Sequence, residues 1–142
     1  MKKALIKNLK NDTYCRLKPD SYGGVGVFAI KNIPKGVNPF HVTNHTNFTQ
    51  RILNVPDEEV QKMDPAVIKM ISDFYVKSKD GFWGIPYKGL NANDISFYLN
   101  NSKKPNLKIT HDSESTMMIF KTSRVINKGE ELLIDYTEYE DE

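Results

Sequence analysis

The stretch "FYLNNSKKPN", residues 97–106, decides how the rest of the chain is read. An apolar run stops at Leu99 and gives way to amides, a serine, two lysines, a proline and another asparagine. The residues alone leave two readings open. The segment is a helical turn ending in a loop, or a polar knuckle held in place to grip a ligand.

Bulk properties narrow the classes without choosing between these readings. At 142 residues the chain is expected to be one domain with a core of its own, independent of metals or disulfides. A net charge of +2 gives no electrostatic sign of a nucleic-acid or membrane partner. That value hides an asymmetry. The acidic tail at 137–142 carries Glu138, Glu140, Asp141 and Glu142, and removing these four charges leaves the remainder at about +6. The tail suits a cationic substrate end or is simply a solvated terminus. One cysteine, Cys15, excludes an internal disulfide and a cysteine-rich zinc site. The opening "MKKALIKNLKND" has too short an apolar run for a signal peptide, so a soluble, intracellular protein is expected.

Short strands are predicted over 13–18 and 25–30, with "PKG" as a turn and 37–42 as a returning strand. Pro56 with Asp57-Glu58-Glu59 marks a helix start, and Asp64-Pro65 opens a second helix by capping. Residues 74–76 and 82–85 flank an Asp-Gly turn and predict a β-hairpin. A helical segment is predicted over 94–99 with Asn93 as its cap. Strand, turn and strand then close the chain at "MMIFKTSRVI", "NKGEE" and "LLIDY". The pattern is α+β, mostly β, with a helical insert, and contains no alternating βαβ units.

Most chemical signatures fail on context. Gly23, Gly24 and Gly26 precede a strand where a dinucleotide fingerprint would open a helix. They make a turn or bulge, or let backbone approach a ligand. His41 and His45 lie in a Thr- and Asn-rich run and His111 is remote, so no metal is expected. Cys15 reads as a buried structural thiol. Tyr136, at the end of "GEELLIDY", is either an amphipathic core residue or a site residue.

Three segments in order, "GGVGVFA" (23–29), "FYLNNSKKPN" (97–106) and "GEELLIDY" (129–136), resemble the signature segments of the SET-domain protein-lysine N-methyltransferases. "AIKNIPKG" and "KDGFWGIP" extend the likeness, and 41–72 matches the family's variable insert in position. The chain resembles the compact bacterial and viral members of the family that lack a post-SET zinc module. The resemblance implies a single SET domain over 1–142. Its fold would be β-clip-like, with several short sheets and a knot-like crossing of the last two segments.

It also implies transfer of a methyl group from S-adenosylmethionine to a lysine ε-amine in a protein, histone-like or otherwise basic, with no metal, direct nucleic-acid contact or membrane involved. Gly23, Gly24, Val25, Asn100 and Asn101 would contact the cofactor, Tyr139 would stack on its adenine, and Tyr136 would be catalytic. Tyr75 and Trp83 would wall the lysine channel, or merely pack the hairpin. Pro105-Asn106 would brace the knuckle. Asn101 stands where the family usually has histidine, which keeps a second function in view: a weak or inactive SET-like module that binds cofactor or a basic peptide. Ile134, two residues before Tyr136, leaves the number of methyl groups added unread.

Overall fold

A computed structural model describes residues 1–43, 52–111 and 118–139. They fall into two compact units, one of Met1–Asn44 with Tyr98–Glu142, the other His45–Phe97.

In the first unit, helix α1 (Lys2–Asn11) precedes β1 (Cys15–Pro19) and β2 (Val25–Ala29), which pair antiparallel from Cys15 opposite Ala29 to Pro19 opposite Val25. Strand β8 (Glu131–Ile134) lies antiparallel to β2, and the two-residue β5 (Asn100–Asn101) pairs parallel with β8, giving the order β1-β2-β8-β5. A second ribbon pairs β6 (Leu107–His111) with β7 (Met118–Thr122).

Side chains alternate across a strand with a period of two, so one face can be wholly apolar. Val27 and Ala29 on β2 meet Leu132 and Ile134 on β8, all buried, around a core completed by Ile33, Leu99, Leu107, Phe120 and Ile126. Phe40 meets Phe120 edge-on at 5.7 Å between ring centres. Cys15 is buried there too, and burial pushes its thiol up to about 11, so it stays protonated at neutral pH. It is the structural cysteine expected.

In the second unit, strand β3 (Ile52–Pro56) pairs antiparallel with β4 (Phe82–Pro86), and between them lie α2 (Asp57–Val60) and α3 (Pro65–Phe74). Asp64 caps α3 as expected, its carboxylate accepting the Ala66 N–H at 2.8 Å. This unit carries a strand pair as well as helices, so it is wider than the 41–72 insert.

The α+β class with several short mixed sheets is that of the sequence reading, but four local expectations need correction. Residues 37–42 form no strand, because Pro39 lacks a donor and Asn38 turns its side-chain oxygen onto the Phe40 N–H at 2.9 Å. The hairpin's first arm is missing, because α3 runs on through Phe74 and only Lys77 bridges to Trp83. Strand β4 takes β3 as its partner instead. Near the knuckle the helical turn is a 3₁₀ turn, Ile95–Tyr98, and Asp94 rather than Asn93 caps it, accepting from the Ser96 N–H at 2.9 Å. Helix α1, with no buried residue, and strands β3 and β6 were not anticipated.

Candidate active site

The glycine segment begins with a side chain that the sequence reading passed over. Asp20 Oδ1 accepts the N–H groups of Tyr22 at 2.9 Å and Gly24 at 2.8 Å, while its own N–H donates to the Gly24 carbonyl at 3.0 Å. Within this closed turn Gly23 has φ of 84°, a left-handed value that L side chains resist. Gly24 therefore has its amide and carbonyl committed to Asp20. The Gly24 and Tyr22 amides hold the Asp20 carboxyl below its usual range.

Gly26 follows in β2 for a different reason. A Cβ there would lie 2.4 Å from Glu131 Oε2 and 3.0 Å from Asn100 Nδ2. The missing side chain lets three segments meet. Asn100 Nδ2 donates to Glu131 Oε2 at 2.8 Å, to Asp20 Oδ2 at 3.0 Å and to the Val25 carbonyl at 3.2 Å. Gly26→Ala should therefore push the flexible Glu131 carboxylate off Asn100, a loss of about 0.5–3 kcal/mol for one hydrogen bond, and the thermal unfolding midpoint checks it; an unmoved midpoint would mean that Glu131 swings aside without cost.

The knuckle itself is strand β5 and a loop wrapped on β8. Ser102 N–H donates to the Ile134 carbonyl at 2.9 Å, and Asn106 N–H to the Leu133 carbonyl at 3.2 Å. Asn106, 2% exposed, also accepts the Leu133 N–H at 2.8 Å and donates to the Glu131 carbonyl at 2.9 Å. This is the brace expected behind the amides. The helical-turn reading of "FYLNNSKKPN" holds as a 3₁₀ turn that ends, and its continuation is clamped to the last strand.

Beyond β8 the chain turns at Asp135, whose carboxylate accepts from Thr137 N at 2.9 Å and Oγ1 at 2.7 Å and starts the 3₁₀ turn Tyr136–Tyr139. Tyr136 is held at both ends by the knuckle. Its N–H donates to Asn101 Oδ1 at 2.7 Å, and its hydroxyl donates to the Leu99 carbonyl. Asn101 thus steadies Tyr136 through its side chain. Burial first, and the Glu131 charge second, raise the Tyr136 phenol above its ordinary value, so it is protonated at neutral pH. Glu138, the first acidic residue of the tail, accepts the Ile109 N–H at 3.1 Å.

Gly23, Gly24, Val25, Asn100, Asn101 and Tyr136 therefore share one neighbourhood in the first unit. The side chain of Tyr139 and residues 140–142 lie outside the described residues, as do His45 and the His111 side chain. Tyr75 and Trp83 belong to the second unit. The Tyr75 hydroxyl donates to Asn93 and its ring meets Phe97 edge-on at 5.5 Å; Trp83 Nε1 donates to Asp57 Oδ1 at 2.9 Å. The sequence leaves Gly26 open between a bulge and a close backbone approach, and it marks neither Asp20 nor Glu131 as a site residue. Only the spacing of Gly24 and Gly26, astride a single valine, hinted at them.

Among the described residues no group of three or more His, Cys, Asp or Glu side chains could hold a metal ion, and no helix is long and apolar enough to cross a membrane. No curated protein matches the chain. A crystal structure of a proposed histone methyltransferase of Plasmodium falciparum is similar at 19% identity and a TM-score of 0.50, covering 87% of this chain and 93% of that one, which is a likeness of fold. The SET-domain profile matches residues 24–137, a span running from the glycine turn through Tyr136. With that match across most of its length, the chain belongs to the SET-domain family of protein-lysine methyltransferases.

Proposed function

We propose that this chain is an active protein-lysine methyltransferase that uses S-adenosylmethionine and takes a lysine from a basic protein segment. The observation carrying this reading is the double tether of Tyr136 to Leu99 and Asn101, beside the cluster of Gly26, Asn100 and Glu131. The residues fit the cofactor: among the described residues Asn100 Oδ1 meets no donor, and the glycine turn keeps side chains off the backbone.

When bound, S-adenosylmethionine supplies an activated methyl group. Held by Asn100 and the glycine turn, it would transfer that methyl group to the lysine nitrogen and leave as a thioether, while the amine's surplus proton goes to solvent. The chain's own task is positioning, which can supply about 7–11 kcal/mol in well-oriented cases. Because the Tyr136 hydroxyl donates a hydrogen bond to the Leu99 carbonyl, its oxygen acts toward other neighbours as an acceptor, suited to weak C–H···O contacts with a methyl bearing positive character. Such chemistry needs no histidine or cysteine base. Tyr75 and Trp83 remain our candidates for the lysine channel and Tyr139 for adenine stacking.

Incubation with labelled S-adenosylmethionine and a panel of basic proteins, histones and the chain itself included, tests the proposal. Label is expected on lysine. Cofactor binding without labelling of any protein would reduce the chain to a binding module.

A further inference from the structure

Asp20 precedes the three signature segments, yet its carboxylate joins two of them. Oδ1 closes the glycine turn through Tyr22 and Gly24, while Oδ2 accepts from Asn100 Nδ2 at 3.0 Å. From the other side Glu131 Oε2 accepts from the same nitrogen at 2.8 Å, and the Val25 carbonyl at 3.2 Å. An amide nitrogen has two hydrogens, so three acceptors oversubscribe it. Turning the amide over would press Oδ1 against two carboxylates. That repulsion fixes Nδ2 inward and Oδ1 outward.

We propose that Asp20 is a positioning residue for the cofactor: with Glu131 it locks the Asn100 amide so that Oδ1 is presented to the α-ammonium of the methionine part. This rests on the proposed function. The geometry gives Asp20 two separable tasks, one at the turn and one at Asn100. Asp20→Asn separates them, because the remaining oxygen still serves the Tyr22 and Gly24 amides while a nitrogen replaces the acceptor facing Asn100. A neighbouring amide also permits Asn100 to turn over.

The test compares two ligands by titration calorimetry or competition: S-adenosylhomocysteine, which has the α-ammonium, and 5′-methylthioadenosine, which lacks the amino-acid end. Asp20→Asn should weaken the first about tenfold, the size of one charge-assisted hydrogen bond, and leave the second unchanged. Loss of both ligands would mean that Asp20 only shapes the turn, and loss of neither that it is idle; either overturns the inference while the proposed function stands. If the unaltered protein binds neither ligand, the proposed function itself fails and takes the inference with it. A ligand-free readout accompanies this: the Asn100 side-chain amide resonances should move as Asp20 titrates in acid and lose that response in Asp20→Asn. Resonances that ignore the substitution also overturn it. Should Asp20→Asn fail to fold, Glu131→Gln poses the same selective test from the opposite side of the amide.

Discussion

Asn106→Ala is expected to destabilise the protein by about 3–5 kcal/mol, because it strands main-chain groups of the strand that carries the site. Strand β8 sits between β2 and the two-residue β5, so the short parallel pair cannot serve its whole length. The Asn106 side chain serves Leu133 N–H and the Glu131 carbonyl, from a position 2% exposed where water is a poor substitute. Each buried group left without a partner costs about 1–3 kcal/mol, and a small cavity adds to it.

Thermal unfolding should show the midpoint falling by about 10 °C or more. Asn106→Asp separates the two bonds: it keeps an acceptor for Leu133 but sets an oxygen against the Glu131 carbonyl. It should also be destabilised at neutral pH and partly recover in acid, where a protonated carboxyl can donate to that carbonyl. A midpoint unmoved by Asn106→Ala would show that β8 is held by its apolar face alone.

The same residue shows how far sequence carries. Asn106 could be read as a brace only through the likeness of "FYLNNSKKPN" to a family signature; its burial and its two bonds to β8 are features of the folded chain. Strands β2 and β8 were legible because short runs of β-branched, aromatic and aliphatic residues follow glycine turns there, and α3 because Asp64-Pro65 is a start signal with a local mechanism. Strand β5 was not legible. Two asparagines have little strand preference, and only pairing with Leu133 and Ile134 makes them one. Helix α1 escaped because it buries nothing: Leu5, Ile6 and Leu9 are all exposed, so no core-facing stripe announces it. Strand β3 was hidden by Pro56, which both pairs with Phe82 and precedes α2.

The residues quoted from the signatures come together in the first unit, whereas Asp20 is not legible in the sequence, because its bond to Asn100 spans 80 positions. Asn101 looked like a deficit beside the family's usual histidine. The structure gives it a definite task, because an amide oxygen accepting the Tyr136 N–H needs no imidazole.

Tyr136→Phe should lower kcat by about 10²-fold while leaving S-adenosylhomocysteine affinity within about twofold, since a misplacement near 1 Å at the reacting atoms is worth that much in rate. The phenylalanine ring keeps the backbone bond to Asn101 but loses the bond that fixes the hydroxyl at Leu99, and with it the oxygen itself. Stability should change little by comparison, about 0.5–1.5 kcal/mol for one hydrogen bond.

A pH series gives the claim a second edge. Burial and the Glu131 charge raise the phenol above its ordinary value, so the unaltered protein should keep its rate through the pH where an ordinary tyrosine ionises. The stability linked to this raised group is fully present below the ordinary tyrosine value. It is lost as pH climbs through the raised one. Glu131→Gln removes the like charge and should bring phenolate absorbance, and the alkaline decline in rate, to lower pH. Unchanged turnover in Tyr136→Phe would remove the hydroxyl from the chemistry. An equal loss of cofactor affinity would make Tyr136 a binding residue instead, leaving the methyl group to be positioned by the backbone of the knuckle.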